Sequence, residues 1–215
     1  MFRLFINSGE FCICYKKLFH CDKYISNLAI TEEKSASIFT IDEEDCNFNS
    51  IRDIYNHRFS SYSCGCPNCI KNEIDSNAYV ILSDIKLPNI LVIAIEFKDI
   101  CPGIPLTKDI LNKAKSLVHK FYKFVITLNA NNIEYDYELR GFVIFEYPNH
   151  FTSYIIRNMN NIDNSISTLY YDDENYGNIN EVEFDSVDNL FVTGYIQTLI
   201  YEKIIKINLL NLYYV

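Results

Sequence analysis

Runs of apolar residues recur along the chain, and most of them have the composition of β-strands. The best defined is residues 78–97, AYVILSDIKLPNILVIAIEF, in which Ile, Val and Leu dominate on both sides of Leu87 and Pro88. Nearly every position of Ile90–Ile95 is apolar. That pattern predicts a strand buried on both faces.

Shorter runs predict the other strands. Residues 2–31 predict two strands around a turn that carries Cys12 and Cys14, and residues 31–37 then form a polar loop. Further runs typical of strands are SIFTI (37–41), FYKFVITL (121–128), EVEF (181–184) and FVTGYIQTLIYEK (191–203).

Two segments have the spacing of helices. Ser50 occupies an N-cap position, and Ile51, Ile54 and Tyr55 follow at helical spacing, which predicts a helix over 51–60. Apolar residues over 110–117 predict a second short helix after a turn rich in proline and glycine. Few helices among many strands predict the α+β class, with a mostly antiparallel sheet.

Composition narrows the class of protein. The chain has 215 residues, of which 49% are hydrophobic and 15% aromatic, enough for a sizeable core. Its net charge of −9 argues against nucleic acid as the main partner. An acidic surface is suited to a basic protein partner, and the alternative is that the charge only keeps the protein soluble. We see no secretory signal and no apolar run of membrane-spanning length, so we expect an intracellular protein of the cytoplasm or nucleus.

Eight cysteines in such a protein are expected to be thiols or metal ligands rather than disulfides. Cys66 and Cys69 form a Cys-x-x-Cys turn with Pro and Asn between them, the shape of a zinc knuckle. Cys12 and Cys14 are the candidate second pair, so we predict a structural zinc ion on these four residues. The alternative is reduced cysteines that only pack. No role is assigned to Cys21, Cys46 and Cys101.

A histidine begins one predicted strand, and two acids end the next one. Residues 137–154 predict a strand, a turn and a second strand that begins near His150, and TLYYDD (168–173) predicts a third strand ending in Asp172 and Asp173. If the two later strands pair, a carboxylate lies beside the imidazole. A base and the group that orients it are two members of a nucleophilic triad. The alternative without a function is a structural or surface histidine and two solvated acids.

These residues carry a resemblance to a family. Tyr-x-Leu, a strand, His-Phe-Thr-Ser-Tyr, and then an aromatic residue before Asp-Asp resemble the histidine box of the ubiquitin-specific proteases, papain-like cysteine hydrolases that cut ubiquitin from its conjugates. LPNILVIAIEF (87–97) and LIYEK (199–203) resemble two further strands of that family. The resemblance implies that His150 is the general base, that Asp172 orients it, and that Asp173 supports the pair. It also implies that paired cysteines close a "fingers" subdomain on zinc.

The chain departs from the family pattern at several positions. Asn149 stands where the family usually has Gly, Thr168 where it has Trp, and Glu96 where it has Arg. The cysteine box that carries the nucleophile is not recognisable, because the echo that begins at Asn7 fails after Cys12.

We therefore expect a partial catalytic domain with its nucleophile absent from this chain. Fingers would span about residues 2–80 and the palm 81–203, with an extension over 204–215. The expected partners are ubiquitin or a ubiquitinated protein, and a separate chain could supply the cysteine box. The alternatives are a catalytically inactive ubiquitin-binding or scaffold module, and an unrelated zinc-ribbon protein.

Overall fold

Two β-sheets organise the chain in the computed structural model. It describes residues 12–23, 30–34, 38–75, 77–97, 107–146, 150–159, 166–172, 179–184 and 194–204. The smaller sheet has four strands in the order β2-β1-β5-β4, all antiparallel. Its strands are β1 (Cys14–Cys21), β2 (Ile30–Lys34), β4 (Tyr62–Cys64) and β5 (Ala78–Lys86).

The larger sheet has eight strands. Seven follow the order β11-β10-β9-β8-β12-β6-β3, and β7 pairs with β8 off this path. Every pairing is antiparallel except that of β3 with β6. The strands are β3 (Ile38–Ile41), β6 (Ile90–Ile95), β7 (Val125–Ala130), β8 (Ile133–Glu146), β9 (His150–Met159), β10 (Ile166–Asp172), β11 (Ile179–Phe184) and β12 (Gly194–Lys203). The predicted α+β class with a mostly antiparallel sheet is confirmed.

The described residues also form three α-helices and one 3-10 turn. The helices are α1 (Ile51–Arg58), α2 (Pro67–Lys71) and α3 (Lys108–Phe121), and the turn is Glu43–Asn47. The Ser50 side chain accepts a hydrogen bond from the Asp53 amide at 3.1 Å, so the predicted N-cap is confirmed. Within the described part of the chain, the helices are too short or too polar to cross a membrane.

Side chains from α1, α3 and the larger sheet form one core. Helix α3 contributes four buried residues at helical spacing, Ala114, Leu117, Val118 and Phe121. Two fully buried tyrosines keep their hydroxyl groups satisfied: Tyr137 donates to the Pro88 carbonyl at 2.6 Å, and Tyr201 to the Lys123 carbonyl at 2.7 Å. These bonds offset the cost of placing a phenol in an apolar interior.

Three predictions of local structure need correction. Residues 31–34 of the predicted loop 31–37 belong to β2, because polar residues can form an edge strand when their backbone pairs with β1. The predicted strand 121–128 is divided, because Phe121 continues the apolar stripe of α3 and β7 begins only at Val125. Strand β6 is fully buried on one face only, since its alternate residues are half-buried. Residues 2–11 of the predicted first strand lie outside the described residues.

Gly141 of β8 lets the backbones of β8 and β9 approach closely. A methyl group at this position would lie 2.6 Å from the carbonyl oxygen of Tyr154 on β9. Because that neighbour is backbone in a paired strand, it cannot rotate away as a flexible side chain could. We expect Gly141→Ala to lower the free energy of unfolding by about 1–3 kcal/mol, the usual cost of overpacking. Urea denaturation of the full chain measures this change.

Gly65→Ala is the matched control. Its added methyl would meet Ile70 Cδ1 at 2.6 Å, the mobile end of a side chain that is 68% exposed. We therefore expect little change in stability. Equal losses for the two variants would show that the β8–β9 approach is not a tight constraint.

Candidate active site and thiol cluster

Strand pairing brings the predicted histidine and acid together. His150 begins β9 directly opposite Glu146 of β8, and Asp172 ends β10 directly opposite Thr152 of β9. Side chains alternate along a strand, so positions 150 and 152 share one face, and Asp172 shares it as the cross-strand neighbour of Thr152. The imidazole and the carboxylate are thus diagonal neighbours.

The two side chains are in hydrogen-bonding contact. His150 Nε2 lies 2.9 Å from Asp172 Oδ1, and the side chains are 14% and 7% exposed. Since a carboxylate only accepts, this contact places a proton on Nε2 and fixes the tautomer. Nδ1 is then the nitrogen through which the ring can take up a proton. The arrangement is that of a general base whose orientation is set by a buried acid.

The second oxygen of Asp172 is also bonded. The Tyr170 hydroxyl donates to Asp172 Oδ2 at 2.9 Å, from two positions earlier on the same face of β10. The carboxylate therefore accepts from two side chains, one at each oxygen. Burial first, and then the neighbouring Asp172, raise the pKa of Tyr170, so its hydroxyl stays protonated and remains a donor at neutral pH.

An aromatic row supports this hydrogen-bonded group. Phe142 of β8 stacks on Tyr154 of β9 with ring centroids 4.9 Å apart, and Tyr154 contacts Tyr170 of β10 at 5.0 Å. Burial raises the pKa of Tyr154 to about 12, and the charges of Glu146 and Asp172 add to that effect. The three rings are cross-strand partners, so they fix the strands that carry His150 and Asp172.

A second carboxylate faces the histidine from the other side. Glu146 is the cross-strand partner of His150, and its Oε1 accepts a hydrogen bond from the fully buried Thr152 hydroxyl at 3.3 Å. Glu146 and Asp172 thus come from the two strands that flank β9.

The other residues compared with the family pattern are not part of the contact between His150 and Asp172. Asp173 and Asn149 fall outside the described residues, so the role predicted for Asp173 stays a prediction. Thr168 pairs with Ile156 and Val182 through the backbone of β10. Glu96 is exposed just after β6, and its amide donates to the Ile41 carbonyl at 2.8 Å.

Three buried cysteines meet at one end of the smaller sheet. The sulfur atoms of Cys21, Cys66 and Cys69 all lie within 4.8 Å of one another, and the Cys21 and Cys69 sulfurs are 3.6 Å apart. The residues are 3%, 3% and 1% exposed and form no disulfide. Two thiolates bound to a tetrahedral zinc ion at about 2.3 Å lie about 3.8 Å apart, so these donors fit zinc. We refer to these three residues as the thiol cluster.

The prediction that Cys12 and Cys14 supply the second pair of ligands is wrong. Strand β1 runs from Cys14, opposite Lys86 of β5, to Cys21, opposite Ala78. Seven residues of strand separate its ends by about 23 Å. Cys14 therefore lies at the far end of the sheet, where its thiol approaches the Cys12 carbonyl at 3.9 Å.

Similarity to known proteins lies in the structure rather than the sequence. No family model matches the chain, and no curated protein matches it at a significant level. A structure of the yeast SAGA DUB module matches with a TM-score of 0.56 and 13% identity over 92% of this chain and 42% of that chain. The Saccharomyces cerevisiae PAN2 pseudoubiquitin-hydrolase matches with a TM-score of 0.50 and 12% identity over 93% of this chain and 60% of that chain. This chain has a ubiquitin-specific protease-like fold.

The likeness concerns the fold alone, because identity is low. A SAGA DUB module bound to ubiquitin aldehyde also matches, with a TM-score of 0.50, 12% identity and coverage of 92% of this chain and 42% of that chain. The chain thus spans less than half the length of the DUB module chains it matches. The resemblance inferred from the histidine box is confirmed at the level of the fold.

Two side chains of the candidate sites, Tyr170 and Cys21, were not predicted from the sequence. Tyr170 was detectable, since it lies two positions before Asp172 and must share its face. Cys21 carries no knuckle signal in the sequence, because Tyr24 rather than a second cysteine occupies the third position after it. Its place beside Cys66 depends on the register of β1 against β5, which no local pattern reveals.

The buried carboxylate gives a prediction for stability. We expect Asp172→Ala to lower the free energy of unfolding by about 1–3 kcal/mol, because it leaves the His150 and Tyr170 donors buried without this acceptor. Tyr170→Phe should cost less, since it removes only one of the two bonds. Urea denaturation of the full chain near pH 7 measures both.

Glu134→Ala is the control for a charge that is not buried. Glu134 forms an exposed ion pair with Arg52 at 2.8 Å, and such pairs contribute at most about 1 kcal/mol. If Asp172→Ala proved no more destabilising than Glu134→Ala, the carboxylate would not be holding the two donors in solution.

Proposed function

We propose that this chain supplies the general base and its orienting acid for a cysteine-type ubiquitin hydrolase. The observation that carries the proposal is the 2.9 Å contact between His150 Nε2 and Asp172 Oδ1 within a ubiquitin-specific protease-like fold. The residues meet at the ends of adjacent strands, where a substrate could reach the ring. The Tyr170 hydroxyl holds the carboxylate from its other side.

His150 would act through Nδ1. A thiol at its ordinary pKa is mostly protonated at neutral pH, so the imidazole would take the thiol proton and leave a thiolate nucleophile. Asp172 would stabilise the resulting imidazolium and hold its plane. The thiolate would attack the carbonyl carbon at the ubiquitin C-terminus, and His150 would then protonate the departing amine.

The nucleophile would come from a cysteine box outside this sequence. No segment matches such a box beyond the echo at Asn7–Cys12. We propose that a separate polypeptide supplies the thiol and docks beside His150. The acceptor of the assembled site would be ubiquitin, the ligand bound as an aldehyde in a structurally similar DUB module. Such a role places the protein in the cytoplasm or nucleus.

A zinc ion bound by the thiol cluster would have a structural role. Thiolates are preferred zinc ligands, and three of them converge at the end of β1 and around α2. The ion would tie β1 to the loop between β4 and β5. Cys21, Cys66 and Cys69 would each lose a proton on binding.

A ubiquitin C-terminal reporter tests the hydrolase proposal. With the polypeptide that carries the cysteine box present, we expect this chain to confer cleavage, and His150→Ala to reduce kcat/KM by about 10²–10⁴-fold. Asp172→Asn should reduce the rate less and change its pH profile, because it removes the acceptor that fixes the ring. His57→Ala is the control, an exposed histidine on α1.

Two results would refute this assignment. One is cleavage that His150→Ala leaves at the wild-type rate. The other is no cleavage by the complete assembly.

A catalytically inactive ubiquitin-binding module is the second candidate. It is favoured by the similarity to PAN2, which is described as a pseudoubiquitin-hydrolase, and by the departures at Asn149, Thr168 and Glu96. Labelled ubiquitin titrated with the chain should then bind saturably at micromolar concentration. His150→Ala should bind as well as the wild type, because the base serves chemistry rather than affinity. An absence of saturable binding at high micromolar concentration would eliminate this candidate.

A further inference from the structure

A short segment of chain joins the smaller sheet directly to the larger one. Strand β5 belongs to the smaller sheet and β6 to the larger sheet, and residues 84–89 run from the end of one to the start of the other. We refer to residues 84–89 as the link. A hinge is a short segment whose backbone angles can change, so the bonds made by the link decide whether the two sheets can move relative to each other.

Strand β5 bends where the link begins. Cys14 of β1 pairs with Lys86 and Lys16 pairs with Ser83, so two steps along β1 match three steps along β5. Asp84 lies in this interval and has a φ of 51°, in the left-handed region. One extra residue in a paired strand is a β-bulge, which bends its strand and re-aims the residues that follow. The bulge therefore sets the direction in which the link leaves the smaller sheet.

Asn131 holds the residue after the bulge from the larger sheet. It lies in the two-residue turn between β7 and β8, where Asn131 and Asn132 have φ values of 55° and 65°. Its side-chain amide donates to the Ile85 carbonyl at 2.8 Å, and its Oδ1 accepts from the Ile85 amide at 3.1 Å. The side chain thus bonds to Ile85 as the backbone of a neighbouring strand would. Asparagine tolerates a positive φ, so one residue serves both the turn and the link.

The last three residues of the link are bonded through their carbonyl groups. Lys203 Nζ donates to the Leu87 carbonyl at 2.7 Å, and the Tyr137 hydroxyl donates to the Pro88 carbonyl at 2.6 Å. The backbone amide of Lys203 donates to the Asn89 carbonyl at 2.8 Å. Both donor residues belong to strands of the larger sheet, β12 and β8. The end of the link is therefore fixed to two strands at once.

Two other contacts lie close to the link. Lys16 and Asp84 form an exposed ion pair at 2.7 Å within the smaller sheet, and such pairs contribute little to stability. Tyr15 of β1 meets Phe59, the residue after α1, edge-on with ring centroids 5.5 Å apart. Both rings pack against the core of the larger sheet. The contact between Tyr15 and Phe59 is therefore the alternative anchor for the smaller sheet.

We propose that the link is a rigid joint, clamped by Asn131, Tyr137 and Lys203, which fixes the smaller sheet to the larger one in the free chain. Five hydrogen bonds engage four of its six residues, so the backbone angles of the link cannot change without breaking several bonds together. A partner that contacts both sheets then meets a surface that is already ordered, and binding orders less of the chain. The inference depends on neither the proposed zinc site nor the proposed ubiquitin chemistry.

Residual dipolar couplings of the backbone amides of the full chain test whether the two sheets move as one body. A single alignment tensor should fit the couplings of both sheets in the wild type. In the double variant Asn131→Gly/Lys203→Met, the tensor fitted to the smaller sheet should be smaller in magnitude than that of the larger sheet, because motion between the sheets averages the couplings. Lys86→Met is the control, since it removes an exposed lysine of the link itself and should leave a single tensor.

Amide hydrogen exchange tests the contact of Asn131 by itself. In Asn131→Gly the Ile85 amide loses its acceptor and should exchange about tenfold faster, the equivalent of one hydrogen bond. Glycine keeps the positive φ that the turn requires, so the substitution removes the side chain without straining the backbone. Asn132→Gly is the matched control, because this neighbour has the same backbone conformation, and it should leave the exchange of Ile85 unchanged.

Several results would overturn the proposal. If the wild type required two different tensors, the sheets would already move relative to each other and the joint would not be rigid. A single tensor in the double variant would transfer the role of anchor to Tyr15 and Phe59. Equal exchange rates of Ile85 in Asn131→Gly and Asn132→Gly would show that the Asn131 side chain does not hold the link. The wild-type couplings need no variant, so they test the rigidity of the joint even if a substituted chain fails to fold.

Discussion

The register of β8, β9 and β10 is the constraint on which the candidate active site depends. Side chains alternate between faces with a period of two, so a slip of one residue in β10 would carry Asp172 to the opposite face from His150. The row of Phe142, Tyr154 and Tyr170 opposes such a slip, because the three rings meet only when the strands are aligned as observed. Gly141 contributes by allowing β8 and β9 to approach at Tyr154.

A buried carboxylate is stable here only because its partners are fixed. Asp172 is 5% exposed, and an unpaired charge at such a position would cost several kcal/mol. His150 and Tyr170 provide a donor to each oxygen, and both are positioned by the same strand pairing. The contact that orients the His150 ring therefore also makes the burial of Asp172 tolerable, so orientation and stability cannot be separated at this position.

The sequence predicted contacts between segments that are neighbours along the chain, and it failed where distant segments have to be aligned with each other. The contact between His150 and Asp172 was predicted because His150 begins one strand and Asp172 ends the next, and local pattern gives both the strand ends and the pairing of neighbours. Strand β2 was missed because an edge strand may be polar, and the α3–β7 boundary because Phe121 fits both periods. Cys21 was missed because it meets Cys66 only through the register of β1 against β5, which pairs Cys21 with the distant Ala78.

Among the described residues, the buried apolar cluster at the outer end of the smaller sheet is small. Its buried cluster consists of Cys21, Cys66, Cys69 and Ala78, whereas the larger sheet packs against α1 and α3 in an extensive apolar core. Strand β4 has three residues, and α2 is barely more than one turn. So small an apolar surface contributes little stability without a cross-link. A cross-link through the thiols would therefore add to the stability of this end, and the contact between His150 and Asp172 on the larger sheet does not involve it.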